Sequence, residues 1–125
     1  DIRAFIPSKD YENSKIFYTD LGFSSEYVTD DLTLFTSGHC TFFLQRYYSK
    51  EFAENLMFQV IVADIDAAFK TANKSKHKTK ITPIQQERWG KVFYLHGPSG
   101  ELWHVTTRIL HSKLNLAQLV IMDLQ

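Results

Sequence analysis

A single cysteine, Cys40, leaves this 125-residue chain without an internal disulfide. The core has to hold the fold, and the expected setting is the reducing cytosol. Net charge is missing as well. Fourteen basic residues meet fourteen acidic ones, so no global field draws the molecule to nucleic acid or anionic lipid. No apolar run approaches the ~20 residues needed to cross a bilayer, and no charged-then-apolar leader follows Asp1. The expectation is a cytoplasmic protein with neither a nucleic-acid nor a membrane partner. What the chain does have is aromatics, 14% of it within a hydrophobic total of 44%. That suits a dense core and an aromatic-lined cavity equally. The length predicts one domain with one sizeable core.

The strongest local signal is Arg88 to Thr107, RWGKVFYLHGPSGELWHVTT. Val92, Tyr94 and His96 alternate with Phe93 and Leu95, Gly97-Pro98-Ser99-Gly100 turns the chain, and Leu102 to Thr106 returns it. Alternation on either side of Gly and Pro predicts a hairpin. Upstream, Arg3 to Pro7 reads as an opening strand. Asp10 caps a helix over 10–21, with Ile16, Phe17 and Leu21 as its buried stripe and Gly22 as its stop. Strands follow at Phe23 to Val28, Leu32 to Thr36 and Cys40 to Gln45, and Tyr47 to Glu54 reads as a connector.

The pattern then starts again. Leu56 to Val62 predicts a strand, and Asp64 caps a helix over 64–74 with Ile65, Ala68, Phe69 and Ala72 at i, i+3, i+4 and i+7. Strands at Ile81 to Gln86, Lys91 to His96 and Leu102 to Thr106 complete it. Strand, helix and three strands have occurred twice, about 1–54 and 55–107, as a repeat of pattern rather than of residues. Each unit can lay its helix on one face of a curved antiparallel sheet and leave the other face concave. The lysines from Lys70 to Lys80 have no aromatics or arginines among them, so they read as a solvated helix end, not a nucleic-acid patch. In the tail, 108–125, Leu114, Ala117, Ile121 and Leu124 predict an apolar helical stripe that docks on its own domain or on a partner.

Three stretches carry a resemblance. Lys9 to Phe23 (KDYENSKIFYTDLGF), Phe58 to Phe69 (FQVIVADIDAAF) and Trp89 to Val105 (WGKVFYLHGPSGELWHV) resemble, in order and spacing, the vicinal oxygen chelate superfamily of glyoxalases, bleomycin-resistance proteins and extradiol dioxygenases. The similarity covers residues 2 to 107. It implies an α+β fold of paired βαβββ units: eight strands in two antiparallel or mixed sheets forming an open cup, here followed by a helical tail. It also implies completion of the cup by a second chain or domain. Gly97 stands where the family's closing turn carries Asp, which removes a turn-stabilising acceptor while still permitting the bend.

Enzymes of that superfamily hold a divalent metal in the cup. Carried over, their ligand positions fall at Arg3, Met57 and His104, with Gln45 the nearest donor on the strand from Thr41. A guanidinium stays protonated, a thioether is too soft for an oxygen-and-nitrogen site, and one imidazole is short of the usual three ligands. No metal and no other cofactor is therefore expected. Cys40 with His39 sits on a turn where neighbouring side chains diverge, and Asp30-Asp31 reads as a hairpin turn, so no catalytic residue is assigned.

Strand alternation lines the expected cup with Arg3, Phe5, Met57, Gln59, Leu102 and His104, with Phe43, Trp89 and Phe93 at its rim or floor. Apolar walls with a few convergent polar groups are the general form of a small-molecule site. The expected function is metal-free binding of a small molecule at a homodimer interface, as in the bleomycin-resistance type that sequesters a drug. Two alternatives stand beside it: a metal-dependent lyase, isomerase or thiol transferase of the same fold, and a partner-binding regulatory module.

Overall fold

The computed structural model describes residues 2–107. The expected tail helix, with Leu114, Ala117 and Ile121, lies outside them. The first unit runs β1 (Ala4–Pro7), α1 (Tyr11–Asp20), β2 (Ser24–Thr29), β3 (Leu32–Ser37) and β4 (Cys40–Gln45). A short helix, α2 (Lys50–Glu54), leads to the second: β5 (Met57–Val62), α3 (Ile65–Lys74), β6 (Lys80–Ile81), β7 (Gln85–Glu87), β8 (Gly90–His96) and β9 (Leu102–Thr107). Sheet 1 has the order β1-β4-β3-β2 and sheet 2 the order β5-β9-β8-β6, with β7 also on β8. In each unit the first strand lies parallel to the last, β1 on β4 and β5 on β9, and the remaining pairs are antiparallel. The repeated pattern in the sequence is thus a repeat of topology.

Local chemistry explains the ends. Asp10 and Asp64 each accept the backbone N–H three residues on, from Asn13 and Ala67, both at 3.1 Å, as N-caps do. Gly22 takes a φ of 101° just past α1, the left-handed geometry that stops a helix. Two expectations fail in the first unit. Ile16 is 46% exposed, and the buried stripe of α1 runs instead through Tyr11, Ser14, Phe17 and Tyr18. Ile16 lies off the face set by i, i+3, i+4 and i+7 from Tyr11. The connector Tyr47 to Glu54 contains α2, capped by Ser49, whose hydroxyl accepts from Phe52 N at 3.3 Å, and anchored by fully buried Ala53.

In the second unit the single strand expected at Ile81 to Gln86 is broken, giving nine strands among the described residues rather than eight. Pro83 has no N–H to give the ladder. Thr82 compensates, its N–H donating to Tyr94 O at 3.0 Å and its Oγ1 accepting from Tyr94 N at 2.9 Å. Between Ile81↔Leu95 and Gln85↔Val92 the register slips by one residue, a bulge.

One core lies between the helix-bearing faces of both sheets. It joins Ile6, Phe35, Phe42 and Leu44 of the first to Phe93, Leu95, Trp103 and Val105 of the second. Tyr18 is its hub. Its ring centroid lies 4.9 Å from Phe42, 5.6 Å from Phe35 and 5.8 Å from Trp103. Its hydroxyl donates to Glu101 Oε2 at 2.9 Å and accepts from Trp103 Nε1 at 3.2 Å. Burial pushes the Glu101 carboxyl up from its ordinary value, while hydrogen bonds from Tyr18 and the Ser99 N–H pull it back. The Ser99 N–H donates to Glu101 Oε1 at 3.0 Å, so Glu101 supplies the turn acceptor that Gly97 lacks. Tyr18→Phe leaves both Glu101 and Trp103 a partner short. It is expected to cost about 1–3 kcal/mol, read as a lower denaturant midpoint with an unchanged slope.

Candidate functional site

With both helix-bearing faces turned to one core, each sheet keeps one open face. On sheet 1 the alternation that buries Ile6, Phe42 and Leu44 turns Phe5 and Phe43 outward. These two are in register on parallel strands, with ring centroids 4.9 Å apart and planes 30° from parallel. The Arg3 guanidinium lies 5.7 Å from the Phe43 ring centroid, and its Nε donates to Thr41 Oγ1 at 3.1 Å. The result is a flat aromatic platform with a cation at its edge.

On sheet 2 the open face carries Met57, Gln59 and Ile61 from β5, Leu102 and His104 from β9, and Tyr94 from β8. Across it runs a groove of about 460 Å³, lined by Met57, Gln59, Trp89, Tyr94 and His104 among others. Trp89 comes from the turn between β7 and β8. Tyr94 and His104 are directly opposed in the ladder, and their rings meet edge to face at 4.8 Å and 89°. His104 Nε2 is buried and has no hydrogen-bond partner among the described residues. Burial lowers the His104 pKa, which favours the neutral ring. A neutral imidazole nitrogen can donate or accept one hydrogen bond, depending on tautomer. On the same face His96 Nδ1 also lacks a partner among the described residues, and burial, then Lys80, lowers that residue's pKa.

The expected cup lining is therefore divided. Met57, Gln59, Trp89 and His104 come together in the groove, and Leu102 shares their face, in register with Met57. Phe5 and Phe43 belong to sheet 1, with Arg3 just ahead of β1, and the groove at His104 contains none of the three. Phe93 lines neither open face. It is fully buried on the core side of β8, 5.2 Å from the Phe69 ring. Tyr94, its neighbour, lines the groove without having been expected there, as do Phe58 and Thr106. The signal was present: once His104 faces the groove, ladder pairing puts Tyr94 there and Phe93 behind.

The positions that resemble metal-ligand sites do not fit a divalent ion. Arg3 is a fixed cation hydrogen-bonded to Thr41, Met57 offers a thioether, and β4 carries no His, Asp or Glu. His104 has Gln59, Tyr94 and Trp89 about it. Among the described residues no three His, Cys, Asp or Glu side chains gather.

No protein-family model matches the sequence, and no curated protein matches it either. Solved structures do match. The bleomycin resistance determinant encoded on the transposon Tn5 superimposes with a TM-score of 0.73 at 17% identity, over 88% of this chain and 99% of that one. The bleomycin-binding protein of bleomycin-producing Streptomyces verticillus, complexed with copper(II)-bleomycin, gives 0.70 at 19% identity, over 86% and 97%. A glyoxalase/bleomycin resistance protein/dioxygenase from Nocardioides gives 0.67 at 19% identity, over 92% and 87%. Strand order, paired units and these likenesses together give one result: the chain has the glyoxalase/bleomycin-resistance fold.

Proposed function

We propose that this protein binds a planar or amphipathic small molecule without a metal, and that it does so as a homodimer. The platform of sheet 1 from one copy closes over the groove of sheet 2 from its partner. The observation that carries the reading is the outward placement of both half-sites on one core. Phe5 is 47%, Met57 63% and Ile61 61% exposed. Apolar surface of this kind usually marks an interaction site. A two-fold arrangement pairs each platform with the other copy's groove and produces two equivalent cups. Solved neighbours described as bleomycin-binding and antibiotic-binding support sequestration as the use of such a cup.

The cup would offer stacking faces from Phe5, Phe43 and Trp89, a charged donor from Arg3 and a neutral imidazole from His104. A thermal-shift screen across antibiotics, aromatics and thiol conjugates finds the ligand, since binding to the native state raises Tm. Arg3→Ala is then expected to weaken that ligand about tenfold or more, because a hydrogen bond to a charged group contributes ~1.5–3 kcal/mol. Arg3 is exposed, so Tm of the free protein should barely change. Loss of Tm without loss of affinity would make Arg3 structural and sink the cup. Elemental analysis finding nearly one metal ion per chain, lost in His104→Ala, would overturn the metal-free part.

A further inference from the structure

Sheet 2 has a second hollow on the face opposite His104. It holds about 140 Å³ between α3, sheet 2 and the residues Leu21 and Phe23 of the first unit, and it is partly open to solvent. Phe93, Leu95, Trp103 and Val105 form a buried floor, while α3 presents Ala68 and Ala72. Two methyl groups on successive turns do not fill the space that larger side chains would. Phe69, the bulky residue between them, packs edge to face on Phe93. Among the described residues Thr71 brings the one hydroxyl of the lining, and the indole N–H of Trp103 is already committed to Tyr18 at 3.2 Å.

An ordered water needs two to four polar partners, and apolar cavities near 150 Å³ stay dry and take benzene. Drug-sized ligands need roughly 300 Å³ or more. The opening of the hollow admits solvent, but its lining offers too few polar partners to hold an ordered water, and the space is too small for the class of ligand proposed for the cup. We infer that this hollow is a second binding site, for an uncharged molecule of about one aromatic ring. It is separated from the groove by the thickness of one sheet. Phe93 and Trp103 face it, while Tyr94 and His104, next to them in sequence, face the other way.

The chain has two tryptophans, one at each site: Trp103 in the hollow and Trp89 in the groove. Trp89→Phe leaves Trp103 as the sole reporter, so the test does not depend on the cup. Iodobenzene is expected to quench this variant saturably through its heavy atom. Benzene should raise Tm of the unaltered protein by about 4–8 °C at roughly ten times its dissociation constant. Ala68→Leu should remain folded and lose both responses by filling the hollow. Ala68→Met, with a more flexible side chain, tests the same point if leucine fits badly. In soaked crystals the iodine should lie between α3 and sheet 2. Quenching that does not saturate or survives the filling variants would overturn the site, as would iodine found only beside Trp89. A hollow filled by residues 108–125 of the chain itself would also overturn it.

Discussion

Gly97→Ala should lower Tm by about 10 °C, the largest loss expected from any one-methyl change in the hairpin. A Cβ on Gly97 would lie 2.5 Å from the carboxyl carbon of Glu101 and closer still to Oε1. Glu101 cannot swing out of the way without cost. It is fully buried, and its two oxygens accept from the Tyr18 hydroxyl and the Ser99 N–H. Displacing it strains the turn and strands two donors in the core. Overpacking and unmade hydrogen bonds together put the loss at about 3 kcal/mol. Gly38→Ala provides the contrast. Gly38 has a φ of 59°, but a methyl group added there would meet nothing within 4 Å, so only backbone strain of about 1 kcal/mol is expected. Calorimetry on the two variants decides the matter. Equal losses would mean that the Glu101 contact does not govern the turn.

That carboxylate also marks the limit of reading by pattern. The missing Asp of the closing turn was visible in the sequence, but its replacement four residues later was not. Gly97 and Glu101 meet only because the chain reverses between them, and Tyr18 reaches Glu101 from a helix 83 residues away. Patterns local in sequence fared better. The caps Asp10 and Asp64, the alternation of β4 and the closing hairpin were all legible, since each depends on neighbours within a few residues. Pro83 was there to be read as a break, but the bulge depends on how Thr82 and Tyr94 pair across the sheet, which no local pattern gives.

The candidate site was legible one sheet at a time. Alternation named the outward residues of β1 and β5, and it should also have excluded Phe93 in favour of Tyr94. What alternation cannot give is which open face meets which. Phe5 and His104 lie on different sheets, and how those sheets meet is a fact of tertiary packing set by the shared core around Tyr18 and Trp103.

Ile61→Glu tests that division most severely. Ile61 follows Met57 and Gln59 along the outward side of β5, an edge strand, and 61% of it is exposed. In the free chain a carboxylate there meets water, so folding stability should change by no more than about 0.5 kcal/mol. In the proposed dimer the same carboxylate would be buried against the rings of the partner's platform, where the Arg3 guanidinium stands at the edge and already donates to Thr41. A buried charge without a well-placed partner costs about 3–5 kcal/mol, which corresponds to dimer affinity lowered by more than about 100-fold. Sedimentation at micromolar concentration should then show a monomer with the circular dichroism of the unaltered protein. Ligand affinity should fall with it, although Ile61 is not part of the groove lining at His104, because each cup has lost half its wall. A monomer that binds the ligand undiminished would place the whole site within one chain. An intact dimer would move the interface elsewhere.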